Sequence, residues 1–278
     1  MSDHSSGRKT ARFFWFALLS VNAVSIFGYA TFGLNPGLLA RFPWSAAVFA
    51  VSYPLFAQLQ IVASLLALFA LLIEHVGSRW VVAFFVVCLI SGTSEFLGTG
   101  YGIPFGKYEY TALLGAKFAG RVPFLIPPSW FSMSVPAFAL ADYAGRNRDS
   151  SLFRVGLGSL LLLMWDLTLD PAMSHLIPFW IWEKSGPFYG MPWSNLFGWY
   201  VTGVMIMLAF EGLRVSRWMR LVPIRKHVLY YAANLMLPLG MCVTGGLWMA
   251  LAFTALVGLG AAVLGYFRFP WPSRAVCR

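Results

Sequence analysis

Eight stretches of this chain are apolar and close to twenty residues long, and that pattern leaves few folds open. Roughly 20 helical residues cross the hydrocarbon core of a bilayer. Inside lipid every backbone N–H and C=O must be satisfied internally, so only helices and closed barrels span it. Long continuous apolar runs, without strict alternation, select helices. The runs lie at about 12–33, 47–73, 80–97, 122–142, 152–172 and 194–212, and two more fit within 228–268 if the chain breaks at Gly245-Gly246. We therefore expect an all-α, polytopic membrane bundle of eight spans, or seven, forming one transmembrane domain over 1–278. Composition agrees: 59% of the 278 residues are hydrophobic and 11% charged, against about 25% charge in soluble domains.

The net charge of +10 does not form a nucleic-acid stripe, so no nucleic-acid partner is expected. Lys and Arg sit in short loops and split unevenly. Fifteen fall in the tails and loops of one side, among them Arg8, Lys9, Arg79, Arg148, Arg217, Lys226, Arg268, Arg274 and Arg278. Five fall on the other: Arg41, Lys107, Lys117, Arg121 and Lys184. The positive-inside rule then predicts both termini in the cytoplasm, with residues 1–11 as a cytoplasmic tail. The basic start leads into a run long enough to span, which predicts an uncleaved first helix. Cys88, Cys242 and Cys277 are scattered and carry no zinc or disulfide spacing.

Acidic residues number ten, and three stand in apolar surroundings. Asp166 and Asp170 follow an uncharged run and are one helical turn apart, which puts both on one face. Glu95 closes the third span. The alternating topology sends the third and fifth spans outward, so all three belong to the outer half, beneath the loops 98–121 and 173–192. A carboxyl group at membrane depth costs about 2.5 kcal/mol or more. Either these three form a structural helix–helix network or they form a working acid–base site. Asp170 precedes Pro171, and a residue before proline is disfavoured in α geometry, so Asp170 is expected to mark the helix end at the mouth. Asp166 and Glu95 are then expected to face each other deeper in. Asp3, Asp142, Asp149 and Glu211 read as solvated charges at inner span ends, as does Glu74 beside His75. Glu183 reads as a surface pair with Lys184.

Aromatic and proline residues crowd the same region. Pro123, Pro127 and Pro128 at the start of the fourth span, before Trp130, predict a broken helix beside a cavity. The glycine-rich loop from Gly98 to Tyr110 is not a phosphate loop, because no GK[ST] or strand–helix unit accompanies it. It reads as a capping or re-entrant loop whose tyrosines, Tyr101 and Tyr108 among them, either belong to the interface belt or line a pocket. Trp165, Trp180, Trp182, Trp193 and Trp199 are belt residues or an aromatic wall able to stabilise a cation. Asn195 can orient a water. His175 reads as an interfacial hydrogen-bonding residue. No HExxH, histidine cluster, dinucleotide fingerprint or nucleophile elbow is present, so neither metal nor cofactor is expected. Cofactor-free acid–base chemistry on a lipid, or transport, remains.

The strings Gly92-Thr93-Ser94-Glu95, Val122-Pro123-Phe124-Leu125-Ile126-Pro127, Trp165-Asp166-Leu167-Thr168-Leu169-Asp170-Pro171 and Gly186-Pro187-Phe188-Tyr189-Gly190-Met191-Pro192-Trp193-Ser194-Asn195 resemble the membrane carotenoid biosynthesis proteins of the CruF type, the carotenoid 1,2-hydratases. The resemblance covers about 90–205; the remaining spans resemble only generic membrane helices. It implies addition of water to the terminal C1–C2 double bond of an acyclic carotenoid end group, giving a tertiary alcohol. It also implies a hydrophobic carotenoid substrate, membrane lipid and other carotenoid pathway enzymes as partners, and residence in a cell membrane such as a bacterial inner membrane. Within that frame the candidate acid is Asp166, with Glu95 or Asp170 as the base. Trp130, Trp165, Tyr101, Tyr108, Trp193 and Asn195 are the candidate substrate contacts. Two rivals are a carotenoid cyclase, in which an internal alkene traps the same cation, and a proton-coupled lipid transporter, which would favour an inverted repeat that this sequence lacks.

Overall fold

The computed structural model describes residues 3–146 and 150–266, without the side chains of 3–9 and 265–266. The expected inner-side charges at Asp3, Arg8, Lys9, Arg148, Asp149, Arg268, Arg274 and Arg278, with Cys277, lie outside what is described. Among the described residues eight helices are long: α1 (Asp3–Gly28), α3 (Pro43–Val76), α4 (Val81–Tyr101), α5 (Ile126–Ala144), α6 (Ser151–Asp170), α7 (Trp193–Gly212), α9 (Ile224–Thr244) and α10 (Trp248–Tyr266). Two short helices, α2 (Pro36–Arg41) and α8 (Ser216–Met219), lie between them. The protein is all-α and membrane-type. Five segments are long and apolar enough to cross a bilayer: Thr10–Gly33, Pro43–Val76, Val81–Tyr101, Ser151–Leu176 and Trp193–Gly212. Trp248–Leu264 is a shorter apolar helix. The chain does break at Gly245-Gly246, where Gly246 takes φ +71°, a conformation glycine adopts without strain.

Helices α5 and α9 also lie outside that set, and α5 is heavily enclosed by protein. Helix α5 packs against α3, α4, α6, α7 and α9. It buries Trp130 through Ala139 without interruption. A helix walled by other helices need not be apolar towards lipid, so it can carry Ser129, Ser132 and Ser134. Pro127 and Pro128 do not break it. They occupy its first turn, where a missing N–H costs no hydrogen bond.

Proline has a different effect on α6. Asp170 is helical (φ −62°, ψ −51°), and the helix runs on through Pro171 as a widened π turn, Pro171–Leu176. The expected helix end at Asp170 is therefore displaced by six residues. Pro171 offers no N–H, and a local π widening absorbs that gap. Ser174 Oγ donates to the Asp170 carbonyl at 2.8 Å.

The two outer loops meet as a ribbon that the sequence did not suggest. Strand β1 (Tyr108–Tyr110) pairs antiparallel with β4 (Trp180–Trp182), Tyr108 opposite Trp182 and Tyr110 opposite Trp180. A smaller pair, β2 (Lys117–Phe118) with β3 (Val122–Pro123), leads into α5. The ribbon places Lys107 beside Glu183, and they form the surface ion pair at 2.7 Å in place of the expected Glu183–Lys184 pair.

At the opposite end of the bundle, the acids expected to be solvated are paired. Asp142 is 3% exposed and accepts two 2.7 Å bonds from Arg220. Glu211 is gripped by Arg154 Nε and Nη2 at 2.5 and 2.8 Å. These carboxylates sit where helix ends pack together, out of bulk water, and a buried carboxylate needs a partner. Glu74 lies 3.5 Å from Lys226.

Candidate active site

A chamber opens among α3, α4, α5, α6, α7 and α9, beneath the β1–β4 ribbon. Its void is about 80 Å³. Two of the three acids line it. Glu95 comes from α4, where it is 4% exposed. One face of its carboxylate meets the ribbon: Tyr108 and Tyr110 both donate to Oε2, the latter at 2.9 Å. Trp130 Nε1 donates to Oε1 at 3.0 Å. Burial, and then the charge of Glu95, push both phenols well above the ordinary tyrosine range, so both remain donors.

Asp170 is the second wall carboxylate. Trp180 Nε1 and Ser174 Oγ donate to its Oδ1, each at 3.0 Å. The Asn195 amide donates to Oδ2 at 2.5 Å. The same amide reaches Asp166 Oδ2 at 3.2 Å. One NH₂ group thus bridges two carboxyl groups from the first turn of α7, a place where its backbone is fixed. Asp166 itself is fully buried behind the wall, and its Oδ1 has no protein hydrogen-bond partner. Asp170, and not Asp166 as expected, lines the chamber with Glu95.

Indoles form much of the remaining wall. Trp130 stacks on Trp199 with centroids 4.0 Å apart, and Trp165 meets Trp199 edge-on at 5.9 Å. Trp165 Nε1 donates to the Asn234 carbonyl at 3.4 Å. That carbonyl lies four residues before Pro238 inside α9, so no helical N–H is available to it. Tyr108, Trp130, Trp165 and Asn195 line the chamber as expected. Tyr101 and Trp193 do not: they are 71% and 52% exposed and face outward. His175 stays at the periphery, its ring 5.5 Å from Tyr189.

Phe105 plugs the loop against the helices. It is 1% exposed and occupies the gap between Gly98 on α4 and Gly198 on α7. A Cβ at Gly198 would stand 2.5 Å from its ring and 2.9 Å from its Cα. Further lining residues that the sequence reading passed over are Gln60 and Ser64 on α3 and Asn234 on α9. Their only signal was polarity at four-residue spacing within apolar helices.

Paired carboxylates and stacked indoles thus lie together, enclosed by membrane-type helices. The chain belongs to the carotenoid biosynthesis protein family, which it matches over residues 56–261. That range is wider than the expected 90–205, and it takes in the α3 and α9 walls of the chamber. A bisanhydrobacterioruberin hydratase from Haloarcula japonica is 32% identical over 194 residues, 69% of this chain and 61% of that protein. The chain therefore matches less than two thirds of that relative's length. No solved structure matches it.

Proposed function

We propose that this protein is a carotenoid hydratase that adds water across the terminal C1–C2 double bond of an acyclic carotenoid end group without a cofactor. The observation that carries this reading is the pair of chamber carboxylates, Glu95 and Asp170, facing a space walled by indoles. The chemistry needs a proton donor, a site for a tertiary cation, and a base for the incoming water. Asp166 and Asp170 are bridged by Asn195 and share a single proton, because two buried carboxylates in one site do not both ionise. Asp170 delivers that proton to C2. The cation at C1 sits against Trp130, Trp165 and Trp199, whose ring faces attract positive charge. Water bonds to C1 and passes a proton to Glu95, whose carboxylate oxygens accept from Tyr108, Tyr110 and Trp130. Return of that proton to the aspartate pair restores the site, and the net change is one water added.

In this reading the end of a polyene enters the chamber, while the rest of the chain extends along the lipid. We read all eight long helices as crossing a cell membrane, with both termini cytoplasmic. The substrate and neighbouring carotenoid pathway enzymes are the partners this reading requires. Expression in a lycopene-accumulating bacterium tests it: a product heavier by one water is expected. Unchanged pigment, with the protein present in the membrane, contradicts the reading.

A further inference from the structure

A second polar cluster, separate in sequence from the carboxylates, also lines the chamber: Gln60, Ser64 and Asn234. Ser64 Oγ donates to Asn234 Oδ1 at 2.6 Å, and Ser64 Oγ and Tyr230 Oη lie 2.6 Å apart. Gln60 Nε2 points at the same Asn234 oxygen from 3.4 Å. Ser64, Tyr230 and Asn234 are at most 2% exposed. Tyr230 also lines a separate groove at the basic end of the bundle, walled by Arg12, Glu74, His75 and Lys226. Ser64 on the chamber wall and Tyr230 on the groove wall are thus in direct contact, and Tyr230 Oη also donates to the Ser64 carbonyl at 2.9 Å.

Such a cluster is costly inside a membrane helix bundle unless it serves a polar solute. The chain of donors ends on an amide oxygen, and an amide does not relay protons as hydroxyls and carboxyls do. A neutral polar molecule is the better fit. The outer side of the chamber is closed by the ribbon and by Phe105, and its other walls are largely aromatic and aliphatic.

We propose that Gln60, Ser64 and Asn234 hold the water that captures the cation, and that this water enters from the basic-end groove when the Ser64–Tyr230 contact opens. The proposal rests on the hydratase reading.

The test runs lycopene with membranes containing the full-length protein in D₂O, and compares wild type with Ser64→Val and Tyr230→Phe. Two readouts are taken: tertiary alcohol formed, and deuterium in the recovered lycopene. Deuterium enters when the cation loses a proton and returns to alkene. Exchange of the carboxyl proton with solvent has the whole incubation to occur, whereas capture has only the lifetime of the cation. Starving the site of water therefore suppresses capture alone. Ser64→Val should cut the alcohol at least tenfold while deuterium in recovered lycopene holds or rises. Tyr230→Phe removes the closing contact and keeps the three water-holding groups, so the ratio should hold or move towards alcohol; a fall in alcohol as large as in Ser64→Val overturns the entry route. Unchanged alcohol in Ser64→Val overturns the proposal, because water then arrives elsewhere. A parallel loss of alcohol and deuterium also overturns it, since the cluster then only shapes the pocket. Failure of the wild type itself to form alcohol removes the hydratase reading and this route with it.

Discussion

Asn195 ties two carboxyl groups to one amide. It is 2% exposed, and its N–H groups serve both Asp166 and Asp170. Removing a hydrogen bond to a buried charged group costs about 1.5–3 kcal/mol, which is roughly 10- to 150-fold in rate if the loss falls on the transition state. Asn195→Ala should therefore lower alcohol formation by about that factor with the protein still present in the membrane. Tyr101→Ala and Trp193→Ala, which alter outward-facing side chains, should change it by no more than about twofold. Equal losses in all three would mean that the region acts through folding alone. The sequence made Asn195, Asp166 and Asp170 legible because polar groups stand out in apolar spans. It did not show which aspartate lines the chamber, because that depends on how α6 is turned within the bundle. Gln60, Ser64, Tyr230 and Asn234 were also illegible: some 170 residues separate the partners, and each alone resembles an ordinary polar residue on a membrane helix.

The elements themselves were easier to read, since span length and apolar continuity are set by the bilayer. All eight long helices follow the expected segments, including the break at Gly245-Gly246. The ribbon was not readable. Strands of three residues carry no periodicity, and pairing β1 with β4 is a tertiary event between loops some seventy residues apart. Its docking depends on Phe105 entering the gap at Gly198. Gly198→Ala would place a methyl group 2.9 Å from Phe105 Cα, a contact that side-chain rotation cannot relieve. Overpacking of this kind costs about 1–3 kcal/mol. The variant should unfold at lower temperature in detergent and lose activity, and a second change, Phe105→Ala, should recover part of the thermal stability. No loss in Gly198→Ala would show that the loop seats differently.

Across the whole molecule, opposite ends do different work. One end collects ion pairs, Arg220 with Asp142 and Arg154 with Glu211, that lock the helix termini. The other collects the chamber, the ribbon and the three acids. In the orientation we propose from the uneven distribution of Lys and Arg, the first end faces the cytoplasm. A green fluorescent protein fused after Arg278 should therefore fluoresce in a bacterial host, and a periplasmic phosphatase fused there should be inactive. The reverse pattern would invert the bundle and place the carboxylates on the inner side.

The central claim is that the chamber carboxylates perform the hydration. The most direct measurement is alcohol formed from lycopene by membranes carrying Asp170→Asn or Glu95→Gln, each normalised to its protein level and compared with wild type. Each substitution keeps the side-chain size and removes the ionisable group. Loss of a general acid or base lowers rates by about 10²–10⁴-fold. Both variants should fall by at least the lower figure while remaining in the membrane at wild-type amounts. Alcohol formation near the wild-type level in either variant would contradict the account.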